Sequence, residues 1–346
     1  MKSEKNVKEQ SMQFLRTMLV PVFVAALFVG GNAQDLAKTG TTAAQFLKIP
    51  VGARAMGMGT AFTATASDAS AMYWNPAGMA HGMQSQATFN HVDWIADVAY
   101  DYAAVGAVLP GIGTVGAFVG ALSMDEMEVR TIEQPEGTGE MFGMNSLVLG
   151  VNYARELTDH FSIGMNVKYL SESLWHMEAS SVALDVGVLY RIDILNELRI
   201  GASISNFGTK MQLDGRDIYE VIEVGENRLN AKMELDEWDL PLIFRAGLAA
   251  DVVRQNDFRV TLGADAVHPN DHTEHVNTGA EVGWREMVFL RGGYGYLFER
   301  DTERGLTLGA GVDYELLGVM NVLFDYAYQD FGRLKETHYL SVGLKF

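Results

Sequence analysis

The chain has 346 residues, with 44 acidic against 26 basic side chains, a formal net charge of −18 and no cysteine. That balance disfavours a nucleic-acid partner, because neutralising phosphates takes clustered Lys and Arg. Without thiols there can be no disulfide, no thiolate metal site and no lipoprotein processing, while 48% hydrophobic residues and 36 glycines leave ample apolar and small surface.

Residues 1–33 read as a signal peptide. Lys2, Lys5, Lys8 and Arg16 form a basic flank, Met18 to Gly30 an apolar run, and Gly31-Asn32-Ala33 a small-residue cleavage site. A membrane anchor is the competing reading, but a bilayer span needs roughly 20 apolar residues. Cleavage after Ala33 would shift the net charge from −18 to −20, since four cations and two carboxylates leave. No later apolar run reaches 18 residues, so no spanning helix is expected.

From residue 86 onward the chain alternates with a period of two. In FSIGMNVKYL, Phe161, Ile163, Met165, Val167 and Tyr169 share one face, opposite Ser162, Gly164, Asn166 and Lys168. VALDVGVLYR and LTLGAGVDY repeat the pattern. Each such strand has one apolar face and one polar or small face. A soluble β-sandwich would read alike strand by strand.

Three features favour a membrane barrel over the sandwich. The second face carries Gly, Ser, Asn and charges, as a wet lumen would. Trp94, Tyr100, Tyr102, Tyr190, Tyr314, Tyr326 and Tyr328 fall near strand ends, where outer-membrane barrels place aromatic girdles. The chain ends in HYLSVGLKF, with Leu340, Val342, Leu344 and the terminal Phe346 on one face. Such an ending resembles the assembly signal of bacterial outer-membrane barrels.

The fold expected is all-β: a transmembrane antiparallel barrel of about 14 strands over residues 86–346. Strands are placed at 86–93, 97–109, 112–124, 144–156, 160–173, 179–192 and 197–207. The second half holds 242–253, 256–268, 274–284, 286–296, 304–315, 319–329 and 336–346. The connections alternate short and long, as periplasmic turns and outer loops do. A barrel this wide cannot fill its lumen with strand side chains. Residues 34–85, small and apolar, are therefore expected to fold inside it as a hatch or plug. Gly52, Gly57 and Gly59 would permit close backbone approach, Asp68 would cap a short helix, and Asn75-Pro76-Ala77-Gly78 would turn the chain toward the first strand.

Residues 40–80 carry a resemblance. Phe46-Leu47, Gly52-Ala53-Arg54-Ala55, Gly57-Met58-Gly59, Ala61-Phe62, Asp68-Ala69 and Tyr73-Trp74-Asn75-Pro76-Ala77-Gly78 resemble the N-terminal signature of the PorV/PorQ family, within the FadL-like group of outer-membrane barrels. Thr60 departs from it where Gly is usual, and Ser67 where a second Asp is common. The resemblance implies a fourteen-strand barrel with an N-terminal hatch. It also implies one of two roles. PorV-type members serve type IX protein secretion, binding C-terminal signal domains of cargo and shuttling them from a translocon barrel to a surface attachment complex. FadL-type members carry hydrophobic small molecules through the lumen. A structural barrel without transport is the third possibility.

Candidate sites follow from parity. Arg54 in the hatch needs a lumenal partner, and Asp185, Arg199, Arg245, Arg259, Asp265, Asp313 and Asp325 fall on inward faces. Structural pairing is the default expectation for them, a polar path the alternative. His268, Asp271, His272, Glu274 and His275 cluster in one outer loop, as solvated side chains or as a metal site; no metal or other cofactor is expected. Residues 125–143 and 208–241 form long acidic loops, read as rim cover or as a docking surface. No nucleophile–base or phosphate-cradling arrangement stands out, so an enzyme is not expected. The partners expected are the outer-membrane bilayer, a translocon barrel with secreted cargo, or a hydrophobic small molecule.

Overall fold

The computed structural model describes residues 38–81, 84–224, 227–299, 302–316 and 318–346. The signal peptide and the first residues of the expected hatch lie outside the described residues.

Fourteen long strands follow in order. They are β1 Gln86–Trp94, β2 Val98–Leu109, β3 Gly113–Met124, β4 Met144–Thr158, β5 Phe161–Leu174, β6 Met177–Ile192 and β7 Leu198–Gly208. Then come β8 Ile243–Gln255, β9 Phe258–Pro269, β10 His275–Trp284, β11 Val288–Leu297, β12 Leu306–Leu316, β13 Met320–Asp330 and β14 Glu336–Lys345. Every strand pairs antiparallel with its chain neighbours, and β14 pairs β1, with Phe89 opposite Val342 and Asn90 opposite Ser341. The sheet is thus a closed barrel. Closure matters because hydrocarbon offers no partner to an unpaired backbone N–H or C=O.

Burial runs opposite to that of a water-soluble core. On β5, Met165 is 44% exposed while its neighbour Asn166 is fully buried. On β6, Val182, Leu184, Val186 and Tyr190 are exposed while Asp185 and Arg191 are buried. The apolar face looks outward to lipid and the polar face inward, the arrangement that a membrane barrel requires.

The girdle reading is corrected at three positions. Tyr100 and Tyr102 are buried against the interior, and Trp94 packs inward with Phe331 at a ring distance of 5.3 Å. They share the inward parity of β1 and β2, where Asn90, Val92 and Ala104 are also buried. Aromatic identity near a strand end does not by itself say which face the ring takes.

The segment 38–81 lies against the inner face. It contains two short helices, α1 Ala53–Gly57 and α2 Ala71–Trp74, with 3-10 turns at Gln45–Lys48 and Pro76–Met79. Asp68 does not cap α2 directly. It closes a turn just ahead, its Oδ1 accepting from Ser70 N at 2.9 Å. Asn75 does the capping one turn later, accepting from Ala77 N at 3.2 Å ahead of Pro76. The loop after β7 carries a separate hairpin, Tyr219–Val224 paired with Asn227–Lys232, and the loop after β3 a short pairing of Met127–Glu128 with Met141–Phe142.

Candidate functional site

The N-terminal segment is fastened to the wall by polar contacts from inward side chains. Asp265 on β9 accepts from the backbone N–H of Phe62 at 2.9 Å and of Thr63 at 2.8 Å. Ser341 on β14 accepts from Ala53 N at 2.8 Å, and Ser203 on β7 donates to Trp74 O at 2.9 Å. Asn75 donates to Thr63 O at 2.9 Å and to Val188 O on β6 at 3.0 Å, while the Trp74 indole donates to Val51 O at 2.8 Å. Asp185 on β6 pairs with Lys168 at 2.7 Å and accepts from Asn166 and Asn206. Asn166 in turn donates to Met72 O at 2.6 Å.

Glycines let the backbones meet. Gly59 has φ +62, and a Cβ there would come within 2.6 Å of Thr278 O and Tyr294 N. Both space and φ therefore demand glycine. Gly57 has only 3.1 Å between a would-be Cβ and Gly309 Cα. Pro76 lies against Gly164 and Gly187 of β5 and β6.

Near the short-turn end lies a cavity of about 350 Å³ lined by charges. Glu281 on β10 lies buried behind its wall, at the centre of the charge network. It accepts from Arg54 at 3.1 Å, Arg291 at 2.7 Å and Arg259 at 3.0 Å. Arg291 also reaches Asp325, Arg54 reaches Asp68 at 3.4 Å, and Arg259 reaches Glu286 at 2.8 Å. Burial works against the Arg54 cation, but Glu281 and Asp68 outweigh it and raise its pKa. Nearby, Arg199 pairs with Asp251 at 2.7 Å, and Asp313 with Lys345 at 2.8 Å.

At the long-loop end lies a second cavity of about 370 Å³. Tyr73, Trp74, Arg245, His275, Tyr296 and Arg304 contribute to its lining. Arg245 sits 5.6 Å from the Tyr73 ring centre and 5.4 Å from that of Trp74. Arg304 sits 4.7 Å from the Tyr296 ring and 5.2 Å from Phe331. Burial pushes the Tyr73 phenol up to about 12, against the pull of Arg245 and Arg304.

The 268–275 cluster is dispersed. His268 faces Glu274 at 2.7 Å, His272 faces Glu299 at 3.5 Å, and His275 stacks on Tyr296 at 4.0 Å. Asp271 accepts from Thr42, Gln45 and Lys48, tying the start of the N-terminal segment to the loop after β9. Phe346 extends past β14, its N–H donating to Ser85 O at 2.9 Å.

Glu281, Arg291, Lys168 and Arg304 were not among the sequence candidates. Parity could have found the first three, since Glu281 shares a face with Asn277 and Gly283, and Arg291 with Gly293. Arg304 lies outside a strand, where parity says nothing.

Comparison with known proteins agrees with this geometry. Residues 32–238 match the family model described as type IX secretion system protein PorV. Among curated protein sequences none matches. The CymD monoaromatic hydrocarbon channel is similar in structure, with TM-score 0.53 and 13% identity over 86% of this chain and 98% of that one. The toluene transporter TbuX of Ralstonia pickettii gives 0.52 and 12% over 85% and 96%. A FadL homologue from Pseudomonas aeruginosa gives 0.51 and 10% over 86% and 98%. At these identities the structural likeness concerns the fold.

Proposed function

The chain belongs to the PorV family of type IX secretion system proteins, and on that premise we propose that this outer-membrane barrel binds secreted cargo and passes it between a translocon barrel and a surface attachment complex. It works as a binding component and not as a catalyst. The observation that carries this reading is the hairpin 219–232 in the loop between β7 and β8. It forms a two-stranded sheet of its own, and Tyr219, Val221, Ile222 and Leu229 are all exposed, Val221 at 63%. Exposed apolar side chains on a hairpin outside the barrel sheet suit a protein partner.

The test is to replace residues 219–232 by a short Gly-Ser linker and recover the protein from native outer membranes in mild detergent. Met211 and Ile218, both buried, are spared. Loss of a co-purifying translocon barrel and of secreted proteins, with the barrel still folded, is expected. Undiminished recovery of those partners would sink the docking role. A second reading, passage of hydrophobic small molecules, draws on Tyr73, Trp74, Tyr296 and Phe331 around the outer cavity. Mass spectrometry of the same preparation serves it: a bound fatty or aromatic molecule without protein partners would favour that reading.

A further inference from the structure

Among the described residues, the outer cavity holds two cations with no carboxylate in direct contact. Of its charged groups, Lys48 is paired with Asp271 at 3.0 Å, and Glu303 is bound to Arg333. Glu299 faces His272 at 3.5 Å and acts on Arg304 only at longer range, without a contact. Lys168, behind Arg245, is matched by Asp185. That leaves Arg245 and Arg304 as the cations without a contacting carboxylate. Among the described residues neither has a carboxylate oxygen within 4.0 Å.

Arg245 is only 6% exposed, and the one side-chain partner of its five donors is Ser205 Oγ at 3.2 Å. Arg304 gives one N–H to the Tyr296 hydroxyl. Both guanidiniums lie over aromatic rings, but ring faces offset only part of the cost of desolvating a cation. Gln329 Oε1, buried on the same cavity, also has no donor. A guanidinium pair with free N–H groups, flanked by rings, fits the planar bidentate acceptor that a carboxylate presents.

We propose that the outer cavity is a carboxylate-binding site, with Arg245 and Arg304 as its anion ligands and Tyr73, Trp74 and Tyr296 as its aromatic walls. The carboxylate could come from a small aromatic acid or from the free C-terminus of a polypeptide. In the second case a peptide N–H would reach Gln329 Oε1. The site stands on the charge count of this cavity and does not depend on the cargo role proposed above.

The purified full-length barrel in detergent is titrated with benzoate, methyl benzoate, a hexapeptide with a free C-terminus and the same hexapeptide amidated. The signal is the fluorescence of Trp74 and Trp94, whose rings lie under Arg245 and Arg304. Saturable binding of benzoate or of the free-ended peptide is expected in the millimolar range or tighter. The ester and the amide should bind at least tenfold more weakly. Arg245→Gln and Arg304→Gln should each weaken the acid probe by a similar factor while heat-modifiable migration on gels stays unchanged. Benzoate alone would identify a small acid as the source, and the peptide alone a chain terminus. No saturable binding of either acid, or equal binding of the neutral probes, overturns the site. The ester and amide comparison uses the unaltered protein, so a variant that fails to fold does not shield the proposal.

Discussion

Glu281 collects three guanidiniums, from Arg54, Arg259 and Arg291, at a point where its own side chain is only 1% exposed. Glu281→Gln keeps the shape and removes the charge. Breaking a buried ion pair by removing one partner typically costs about 3–5 kcal/mol, because the other charge stays buried. A loss of that order is expected in urea unfolding of the refolded barrel, whereas exposed Glu237→Gln should change little. Thr60 makes the opposite case. It holds φ +64, a left-handed conformation that a β-branched residue adopts at a cost. Thr60→Gly should stabilise by about 0.5–1 kcal/mol, the strain relieved being partly offset by the freer unfolded chain. Asp271 adds a pH dependence. Burial opposes its charge, but Gln45, Thr42 and Lys48 overcome it and hold the carboxyl below its ordinary 3.8. A depressed folded pKa means stabilisation that is present above the ordinary value and lost as pH falls through the folded one. Acid protease at descending pH should cut residues 42–48 progressively below 3.8, and Asp271→Asn should flatten that dependence. These residue roles were only partly legible in sequence. The inward parity of Asp265 and Asp325 could be read, yet parity cannot tell which charge meets which across a lumen, since partners come from strands far apart in the chain.

At the scale of elements, the strands were legible because each lies between two solvents. Lipid outside and a polar lumen inside impose a strict period of two, and only a few residues separate the expected ends from those of β1 to β14. What parity could not reveal was why so many lumenal positions are glycine. Gly279 and Gly293 on β10 and β11 lie flat against the backbone of Met58 and Gly59. The wall is thinned where the N-terminal segment passes. Gly293→Val should therefore displace α1 and its following turn while leaving the sheet closed. Limited proteolysis should then cut within residues 53–62, which the parent protein protects. Gly143→Val is the matched control, since a Cβ there meets only Glu126 Cγ at 3.6 Å. Equal protection in both variants would mean that the segment is not held by this contact.

For the molecule as a whole, two separable sources of order meet. The barrel is held by a closed ladder of backbone hydrogen bonds and by an apolar outer face, neither of which involves residues 38–81. Residues 38–81 contribute walls to both cavities: Arg54 and Ser70 to the inner one, Pro50, Thr60 and Tyr73 to the outer. Removing residues 43–80 would leave Asp265, Asn166 and Ser341 without the backbone groups they now serve. Water can take over those hydrogen bonds in an open lumen, as it could not in hydrocarbon. The deletion variant is thus expected to insert as a closed barrel with heat-modifiable migration. In planar bilayers it should pass ions in discrete steps where the intact protein is silent. A deletion variant that inserts but stays silent would mean that the outer loops, and not the N-terminal segment, close the barrel.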